Sequence, residues 1–441
     1  MDKNITLTRL FIPIYLTMLL NLATLVINTY MISLVDPRLV GALAAGHQVF
    51  ILFLNVFNLL GVGCSVVISQ ALGAKNNKLA IRAIHISISL NFLIGLICGI
   101  IVFIFARNIL NLMQIPTEIS DESYVYLRII SIIFFIDGVA IILATVARVY
   151  GFANYALMAS LLMNVVIIIG NILSLFEPFG LPYYGLMGVG ISTIAGKIIG
   201  VAFYFIILIK IMKIPIIFKL FVNAKIYIAK KILKVGLPSA GENLLWSLQY
   251  LVAFSFVASM GEDSLAVQTI YFQFSSFIFF AAIALGLSNQ VIVARFVGAS
   301  ENEQAYNHTF KTAKIGFIST FLFVGGVFVC QDFLMNLMNL TENMKTLMRP
   351  LFYVSFFLEF SRTLNIVMVN ALKASGDVKF PFVTGAASMW LISIPLGYLL
   401  GITLGYGIIG IWIAFVIDET IRGLINMFRW ISRKWIGKKL V

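Results

Sequence analysis

The chain has 441 residues, of which 61% are hydrophobic and only 11% are charged, and its formal net charge is +13. A soluble domain carries roughly 25% charged residues, so this composition excludes a water-soluble globular fold. We therefore predict an integral membrane protein. The basic residues fall mainly in short segments between apolar stretches, so we expect no nucleic-acid partner.

Apolar stretches of about 20 residues recur from end to end, and each is long enough to cross a bilayer as a helix. Alternating strands of about ten residues are absent, which argues against an outer-membrane barrel. The predicted fold is an all-α polytopic membrane protein with twelve transmembrane helices. The expected spans are 9–34, 42–72, 81–106, 123–147, 155–177, 184–213, 236–260, 264–297, 312–338, 347–372, 380–402 and 406–434.

Twelve spans place both termini on one side of the membrane. Most of the 31 lysines and arginines then fall on that side, including the basic run from Lys210 to Lys234 and the tail from Arg429 to Lys439. By the positive-inside rule this side is cytoplasmic. We expect a multi-pass protein of the plasma (inner) membrane with both termini in the cytoplasm, monomeric and in contact with lipid.

The two halves of the chain repeat one another. The segment "GVGCSVVISQALGAKNNKLA" at 61–80 aligns with "GLSNQVIVARFVGASENEQA" at 286–305, an offset of 225. The same offset aligns Pro13 with Pro238 and Arg148 with Lys373. Near the end the offset becomes 222 and aligns "GLMGVGIS" with "GIIGIWIA".

Because six is an even number, two six-helix repeats enter the membrane in the same direction, as in transporters whose two lobes rock about a central cavity. We therefore predict two parallel six-helix lobes. The N-lobe covers 1–213 and the C-lobe covers 236–441. Residues 214–235 form the linker, a basic amphipathic stretch at the cytoplasmic interface.

Several motifs resemble one transporter family. "RLFIPIYLTMLLNLATLVINTYMISLV", "VGLPSAGENLLWSLQYLVAFSFVASMG" and "NIVMVNALKASGDVKFPF" are similar to the first helix, the seventh helix and the loop after helix ten of multidrug and toxic compound extrusion (MATE) transporters. The resemblance covers essentially the whole chain. It implies export of mostly cationic, amphipathic compounds in exchange for H⁺ or Na⁺, with no organic cofactor.

The sequence departs from the best-known members of that family. Their first helix usually carries an Asp-Thr pair, where this chain has Asn28 and Thr29. An acidic residue of helix five is replaced by Leu175, whereas Asn171 is kept, and Trp246 stands where other members have an acid in helix seven. The resemblance is therefore to a bacterial subgroup that lacks the usual N-lobe Asp.

Charged residues inside the predicted spans need an explanation, because a charge at mid-membrane costs several kcal/mol unless it is paired or hydrated. At offset 225 Asp137 aligns with Arg362, and at offset 222 Lys197 aligns with Glu419, so the signs are swapped at both places. We predict two structural ion pairs, Asp137 with Lys197 and Arg362 with Glu419.

The remaining C-lobe charges are the acids Glu242, Glu359 and Asp418, and Arg422, which we predict to be a structural ion-pair partner that offsets part of the acid excess. The rise of ~1.5 Å per residue places Arg422 and Glu242 at one level, closer to the cytoplasm than Glu359 and Asp418. Desolvation favours the protonated form of so deep a carboxyl group. Glu359 and Asp418, with Glu242, are therefore candidates for ion coupling, either as H⁺ carriers or as ligands of Na⁺. The alternatives are a purely structural charge network and direct contact with substrate.

Aromatic and amide side chains provide candidates for a substrate cavity, with packing in the core as the alternative for the tryptophans. These candidates are Asn28, Asn171, Trp246, Gln268, Gln273 and Trp390, with His47, Gln48 and Trp412 as further possibilities.

Three functions compete. The leading one is a secondary active antiporter, and the second is a flippase for a lipid-linked or other amphipathic substrate. A flippase for pyrophosphate-linked lipids would need a cationic cavity, which the acidic C-lobe does not favour. A membrane-embedded enzyme would need a metal cluster, a nucleophile with a base or a P-loop, and the sequence has none at the required spacing.

Overall fold

A computed structural model of the chain describes residues 5–180, 182–222 and 225–441. Most of these residues lie in helices, as the length of the apolar stretches predicts. Their bounds are α1 Leu7–Val35, α2 Pro37–Gly73, α3 Asn77–Leu112, α4 Ser120–Ser131, α5 Ile133–Val149, α6 Ala153–Leu175, α7 Gly185–Ile206, α8 Phe218–Val222, α9 Ile226–Ala258, α10 Glu262–Gly298, α11 Asn302–Val329, α12 Gln331–Leu337, α13 Glu342–Ser375, α14 Lys379–Ser388, α15 Ile394–Tyr398 and α16 Gly407–Ile431.

Length and composition qualify nine of the described helices, or stretches of successive helix, to cross a membrane, and ten if α4 and α5 form one span with a 45° bend. Two of the predicted spans coincide with helices that lie outside this set, α9 and α16. Both contain several charged residues. The helices therefore agree with a polytopic membrane protein, and the count of twelve spans stays a prediction.

The chain divides into two compact units. The first unit includes Ile12–Ile68 and Asn76–Gly236. The second unit consists of Leu237–Val441 together with two short segments from the N-terminal half, Thr6–Phe11 and Ser69–Lys75. A single division of the sequence misses these two segments, because the repeat relates positions along the chain and not the packing of helix ends.

The predicted linker at 214–235 is only partly a separate segment. A short helix, α8, lies within it, but α9 already begins at Ile226 and continues without a break to Ala258. The basic run of the linker is therefore in part the first turns of a long helix. Residues 223 and 224 of the linker, like residues 1–4 and 181 of the predicted N-lobe, lie outside the described residues.

Each unit has its own apolar core. In the first unit Phe134 of α5 is fully buried and packs against Phe53 and Phe57 of α2, with ring centroids 5.0 and 6.0 Å apart. In the second unit Trp412 of α16 is buried and meets the ring of Tyr271 at 4.6 Å. Trp412 is thus a packing residue, the alternative that the sequence left open.

Candidate functional site

A chain of buried charges runs through the second unit between α13 and α16. Glu359 is completely buried, and its Oε1 accepts hydrogen bonds from Arg362 Nη1 at 2.8 Å and from the hydroxyl of Ser275 at 2.6 Å. Glu359 and Arg362 lie three residues apart on α13 and share a face. Glu359 Oε2 is buried and has no hydrogen-bond partner among the described residues.

Arg422 is the centre of the remaining buried charges, which lie on α16. Its Nη2 lies 2.7 Å from Asp418 Oδ2 and 2.9 Å from Glu419 Oε1. Arg362 Nε lies 4.0 Å from the same Oε1 of Glu419, so Arg362 and Glu419 are in ionic contact as predicted. The closest partner of each is nevertheless different: Glu359 for Arg362, and Arg422 for Glu419. We call Glu359, Arg362, Glu419, Arg422 and Asp418 the buried network.

Glu242 has a partner that the sequence did not indicate. Lys373 Nζ lies 2.7 Å from Glu242 Oε2, and both side chains are nearly buried. The prediction that Glu242 and Arg422 form one level missed this pair, because it ended the helix at 372 and placed Lys373 in a loop. The helix α13 continues to Ser375, which keeps Lys373 inside the packed region.

Neutral side chains complete the hydrogen bonds of the two acidic residues of α16. Asp418 Oδ1 accepts from Ser388 Oγ at 2.6 Å, and Asp418 Oδ2 accepts from Gln249 Nε2 at 3.2 Å. Glu419 Oε2 accepts from Asn365 Nδ2 at 2.8 Å, and Asn426 donates to Asn365 at 3.2 Å. None of these four neutral residues was predicted as part of the site.

Helical spacing was the signal that could have found three of them. Gln249 lies seven residues after Glu242 on α9, Asn365 lies three after Arg362, and Asn426 lies four after Arg422, so each shares a helix face with a charge. Ser388 has no such signal. It precedes a π-helical turn, Met389–Ser393, where the local bulge is of a kind that occurs frequently at functional sites.

The first unit contains the other predicted pair. Lys197 Nζ on α7 lies 2.7 Å from Asp137 Oδ1 on α5. Asp137 is buried, whereas the Lys197 side chain keeps 24% of its surface exposed. The structure therefore brings together the two residues that the sign-swapped repeat paired.

A cavity of about 470 Å³ lies within the first unit, among α1, α2, α4, α5, α6 and α7. Its volume is in the range of small-molecule sites. Mostly apolar side chains line it, with a limited set of polar and charged residues: Thr17, Asn21, Thr24, Asn28, His47, Asn58, Tyr126, Asp137, Arg148, Ser160, Asn164, Thr193, Lys197 and Tyr204.

The structure places the predicted cavity residues in different environments. Asn28 and His47 line the first-unit cavity. Asn171 is buried behind it and donates to Asn28 Oδ1 at 2.9 Å. Gln48 and Gln273 are exposed on their helices.

The three cavity candidates in the second unit are exposed, stacked on another ring or buried in the core. Trp390 is 38% exposed. Trp246 stacks on Phe279 with centroids 5.7 Å apart. Gln268 is fully buried and accepts a hydrogen bond from Trp412 Nε1 at 2.7 Å, so it is a core residue. None of these three lines the first-unit cavity.

Glu359 and Asp418, the predicted ligands of Na⁺, lie at opposite ends of the buried network. Three charged residues of the buried network lie between them in the chain of contacts, and two of those are arginines. In the described part of the chain, no three or more His, Cys, Asp or Glu side chains are grouped so that they could hold a metal ion.

Helices of membrane-spanning length around buried charges define a polytopic α-helical membrane protein. The MatE family model matches the chain twice, over residues 13–173 and 238–399. The two matches begin 225 residues apart, the offset of the internal repeat. The chain belongs to the MATE family of multidrug efflux transporters.

Relatives span the whole chain. It is 30% identical over 439 residues to the "Uncharacterized transporter YisQ" of Bacillus subtilis, covering 99% of this chain and 96% of the relative. It is 23% identical to the "Probable multidrug resistance protein NorM" of Thermotoga maritima, covering 88% and 84%. An outward-facing multidrug resistance MATE transporter has the same fold, with a TM-score of 0.88 at 18% identity and coverage of 97% and 95%.

Proposed function

We propose that this protein is a secondary active antiporter of the plasma membrane that exports amphipathic organic compounds in exchange for H⁺. In this proposal both termini face the cytoplasm, and Glu359 carries the coupling proton. The family supports the transport of amphipathic compounds, and the buried charges of the second unit support the choice of H⁺.

The observation that carries the proposal is the unmatched acid among the deep charges of the second unit. Four acidic residues, Glu242, Glu359, Asp418 and Glu419, lie with three basic residues, Lys373, Arg362 and Arg422. One bound proton makes this set neutral. A buried charge without a partner is costly, so the set favours one protonated carboxyl group.

Glu359 is the acid best suited to hold that proton. Both oxygens of Asp418 and both oxygens of Glu419 accept hydrogen bonds or ion pairs, as ionised carboxylates do. Glu242 Oε2 lies 2.7 Å from the ammonium of Lys373, whereas Glu359 Oε2 has neither an ion pair nor a hydrogen bond in the described residues. Ser275 and Arg362 hold Oε1 in place, which leaves Oε2 as the atom that takes and releases the proton.

Sodium is less well supported than H⁺. A cation of this kind is bound by several oxygen ligands, and the arginines of the buried network occupy the carboxylates that would supply them. Using Asp418 for Na⁺ would require the displacement of Arg422 from a contact of 2.7 Å.

The first-unit cavity is the proposed substrate site. Its apolar walls fit an amphipathic compound, and its amides and hydroxyls provide orienting hydrogen bonds. The charged residues of the lining are one acid and two bases, which does not favour a cation in this part of the protein. The flippase alternative is not supported, since the relatives are named as transporters or multidrug resistance proteins.

The test uses purified protein in proteoliposomes, with proton and sodium gradients imposed separately. Glu359→Gln keeps the size of the side chain and removes its titration, whereas Glu359→Asp keeps a carboxyl group as the matched control. We expect Glu359→Gln to abolish uptake driven by a pH gradient while substrate exchange without a gradient continues. Glu359→Asp should keep part of the driven uptake.

Two results would contradict the proposal. Unchanged pH-driven transport by Glu359→Gln would show that this carboxyl group does not carry the proton. Transport by the wild type that responds to a sodium gradient alone would show that the coupling ion is Na⁺.

A further inference from the structure

The charge balance of the first-unit cavity is opposite to that of the second unit. Its charged lining residues are Asp137, Arg148 and Lys197. Lys197 Nζ pairs with Asp137 Oδ1 at 2.7 Å, whereas Asp137 Oδ2 has no hydrogen-bond partner among the described residues. Arg148 therefore remains as a positive charge that no acid of the lining neutralises.

The contacts of Arg148 use only part of its hydrogen-bonding capacity. Its Nε donates to the carbonyl of Ala144 at 3.2 Å, and its Nη2 donates to Thr145 Oγ1 at 3.2 Å. Its Nη1 has no hydrogen bond, and the guanidinium has no carboxylate partner, among the residues that the structure describes. A guanidinium offers five N–H donors in a planar fork that matches a carboxylate.

The internal repeat shows that the first unit has no acid at the equivalent position to pair with Arg148. Arg148 corresponds to Lys373, whose partner in the second unit is Glu242 at 2.7 Å. At the same offset of 225, Glu242 corresponds to Thr17. Thr17 lines the first-unit cavity and its hydroxyl donates to the carbonyl of Pro13 at 2.7 Å, so it supplies no negative charge. The first unit has the base of this pair, Arg148, but no acid at the position equivalent to Glu242.

We infer that the first-unit cavity binds amphipathic organic acids. Arg148 pairs with the carboxylate of the ligand as Lys373 pairs with Glu242 in the second unit. The inference rests on the proposed function and names the substrate class of the same site. The apolar lining accommodates the hydrocarbon part of such a compound. Asn21 and Asn164, which share a hydrogen bond at 3.3 Å, also line the cavity and can orient the ligand.

A structural role for Arg148 gives a different expectation. A cation in the last turn of α5 interacts favourably with the helix dipole and with the Ala144 carbonyl. That role needs a positive charge, but it creates no preference for an anionic ligand. The two roles therefore separate in binding experiments and not in stability measurements alone.

The experiment measures binding to the full-length protein in detergent by titration calorimetry, without any ion gradient. The probes are naphthylacetate, its neutral amide naphthylacetamide and the cation naphthylmethylammonium, which share one aromatic body. Because charge-assisted hydrogen bonds are stronger than neutral ones, we expect the carboxylate to bind on the order of 10-fold tighter than the amide, and the cation to bind weakest.

Variants at two positions make the test specific. Arg148→Gln should remove the preference for the carboxylate, and Arg148→Lys should keep part of it. Thr17→Glu restores the acid that the second unit has, so it should abolish carboxylate binding, whereas Thr17→Gln should not. Thermal unfolding of each variant identifies any that fail to fold. If Arg148→Gln or Thr17→Glu fails to fold, Arg148→Lys and Thr17→Gln decide.

Four results would overturn the inference. They are equal binding of the three probes, no binding of any probe, carboxylate binding that Arg148→Gln leaves intact, and carboxylate binding that Thr17→Glu leaves intact. Repeating the titration with added anionic phospholipid tests the other source of the same chemistry. Loss of naphthylacetate binding there, with lipid retention that depends on Arg148, would assign the site to a lipid phosphate. None of these measurements depends on coupling to H⁺, so a failure of the antiport proposal is separate.

Discussion

Lys197 Nζ lies 2.7 Å from Asp137 Oδ1, whereas the residues at the equivalent repeat positions, Glu419 and Arg362, approach only to 4.0 Å. The two pairs have opposite polarity and unequal strength, because Arg362 and Glu419 each have a closer partner of their own. In the first unit the pair is self-contained. In the second unit the same positions are links in a longer network.

This difference predicts unequal coupling energies in double-mutant cycles. Asp137→Asn alone leaves an unpaired ammonium and should lower the free energy of unfolding by on the order of 3 kcal/mol. With Lys197→Met added, much of that loss should be recovered. The corresponding cycle with Arg362→Met and Glu419→Gln should give a clearly smaller coupling energy. The cycles are measured by chemical unfolding in detergent micelles, and equal coupling energies would contradict the geometry.

The stability of two amide variants should reveal which acid of the buried network is protonated. Asp418→Asn removes a carboxylate held by Arg422, Ser388 and Gln249, and should cost about 3 kcal/mol. Glu359→Gln is isosteric with the protonated acid and should cost less than about 1 kcal/mol, if Glu359 is neutral as proposed. The difference is measured by unfolding at neutral pH without a gradient. Equal losses would show that Glu359 is an ionised structural partner.

The sequence predicted which segments form helices better than it predicted which face of each helix meets which neighbour. Hydropathy anticipated the long helices, and the repeat offsets of 225 and 222 anticipated the Asp137–Lys197 contact, since both depend on position along the chain. The contacts of Gln249, Ser388 and Lys373 depend on how helices distant in sequence face each other. A helical period gives the residues that share a face, but it does not say which neighbour that face meets.

The end of α2 is held within the second unit by Gln70, whose side chain is fully buried. Its Nε2 donates to the Ala374 carbonyl at 2.7 Å, and its Oε1 accepts from the backbone N–H of Leu440 at 2.8 Å. The side chain therefore ties the C-terminal tail to α13. The tail has further anchors, including Lys438 Nζ at 2.6 Å from Asp377 Oδ1.

Gln70→Ala should loosen this tail. The substitution leaves a buried carbonyl and a buried N–H without partners, at a cost of roughly 1–3 kcal/mol each. We expect trypsin to remove a C-terminal epitope tag at least several-fold faster than in the wild type, because a released tail lets the backbone at Arg433, Lys438 and Lys439 enter the active site of the protease. Gln48→Ala, an exposed glutamine of the same helix, is the control. Equal cleavage of the two variants would show that Gln70 does not hold the tail.

Gly298, at the end of α10, also sets how closely this segment packs. A Cβ atom at Gly298 would meet the backbone carbonyl of Gln70 well inside van der Waals contact, and backbone cannot move aside as a flexible side chain can. At Gly325 of α11, by contrast, a Cβ atom would meet nothing within 4 Å. Gly298→Ala should therefore destabilise the protein by about 1–3 kcal/mol through overpacking.

Gly325→Ala is the matched control, since alanine is favoured over glycine in a helix interior by up to about 1 kcal/mol. The two variants should shift the melting temperature in detergent in opposite directions. If Gly298→Ala melts at or above the wild-type temperature, the close approach of α10 to the end of α2 does not limit stability. Combining Gly298→Ala with Gln70→Ala should then separate backbone contact from side-chain bonding. Because both substitutions act on one contact, the double variant should lose less stability than the sum of the losses of the two single variants.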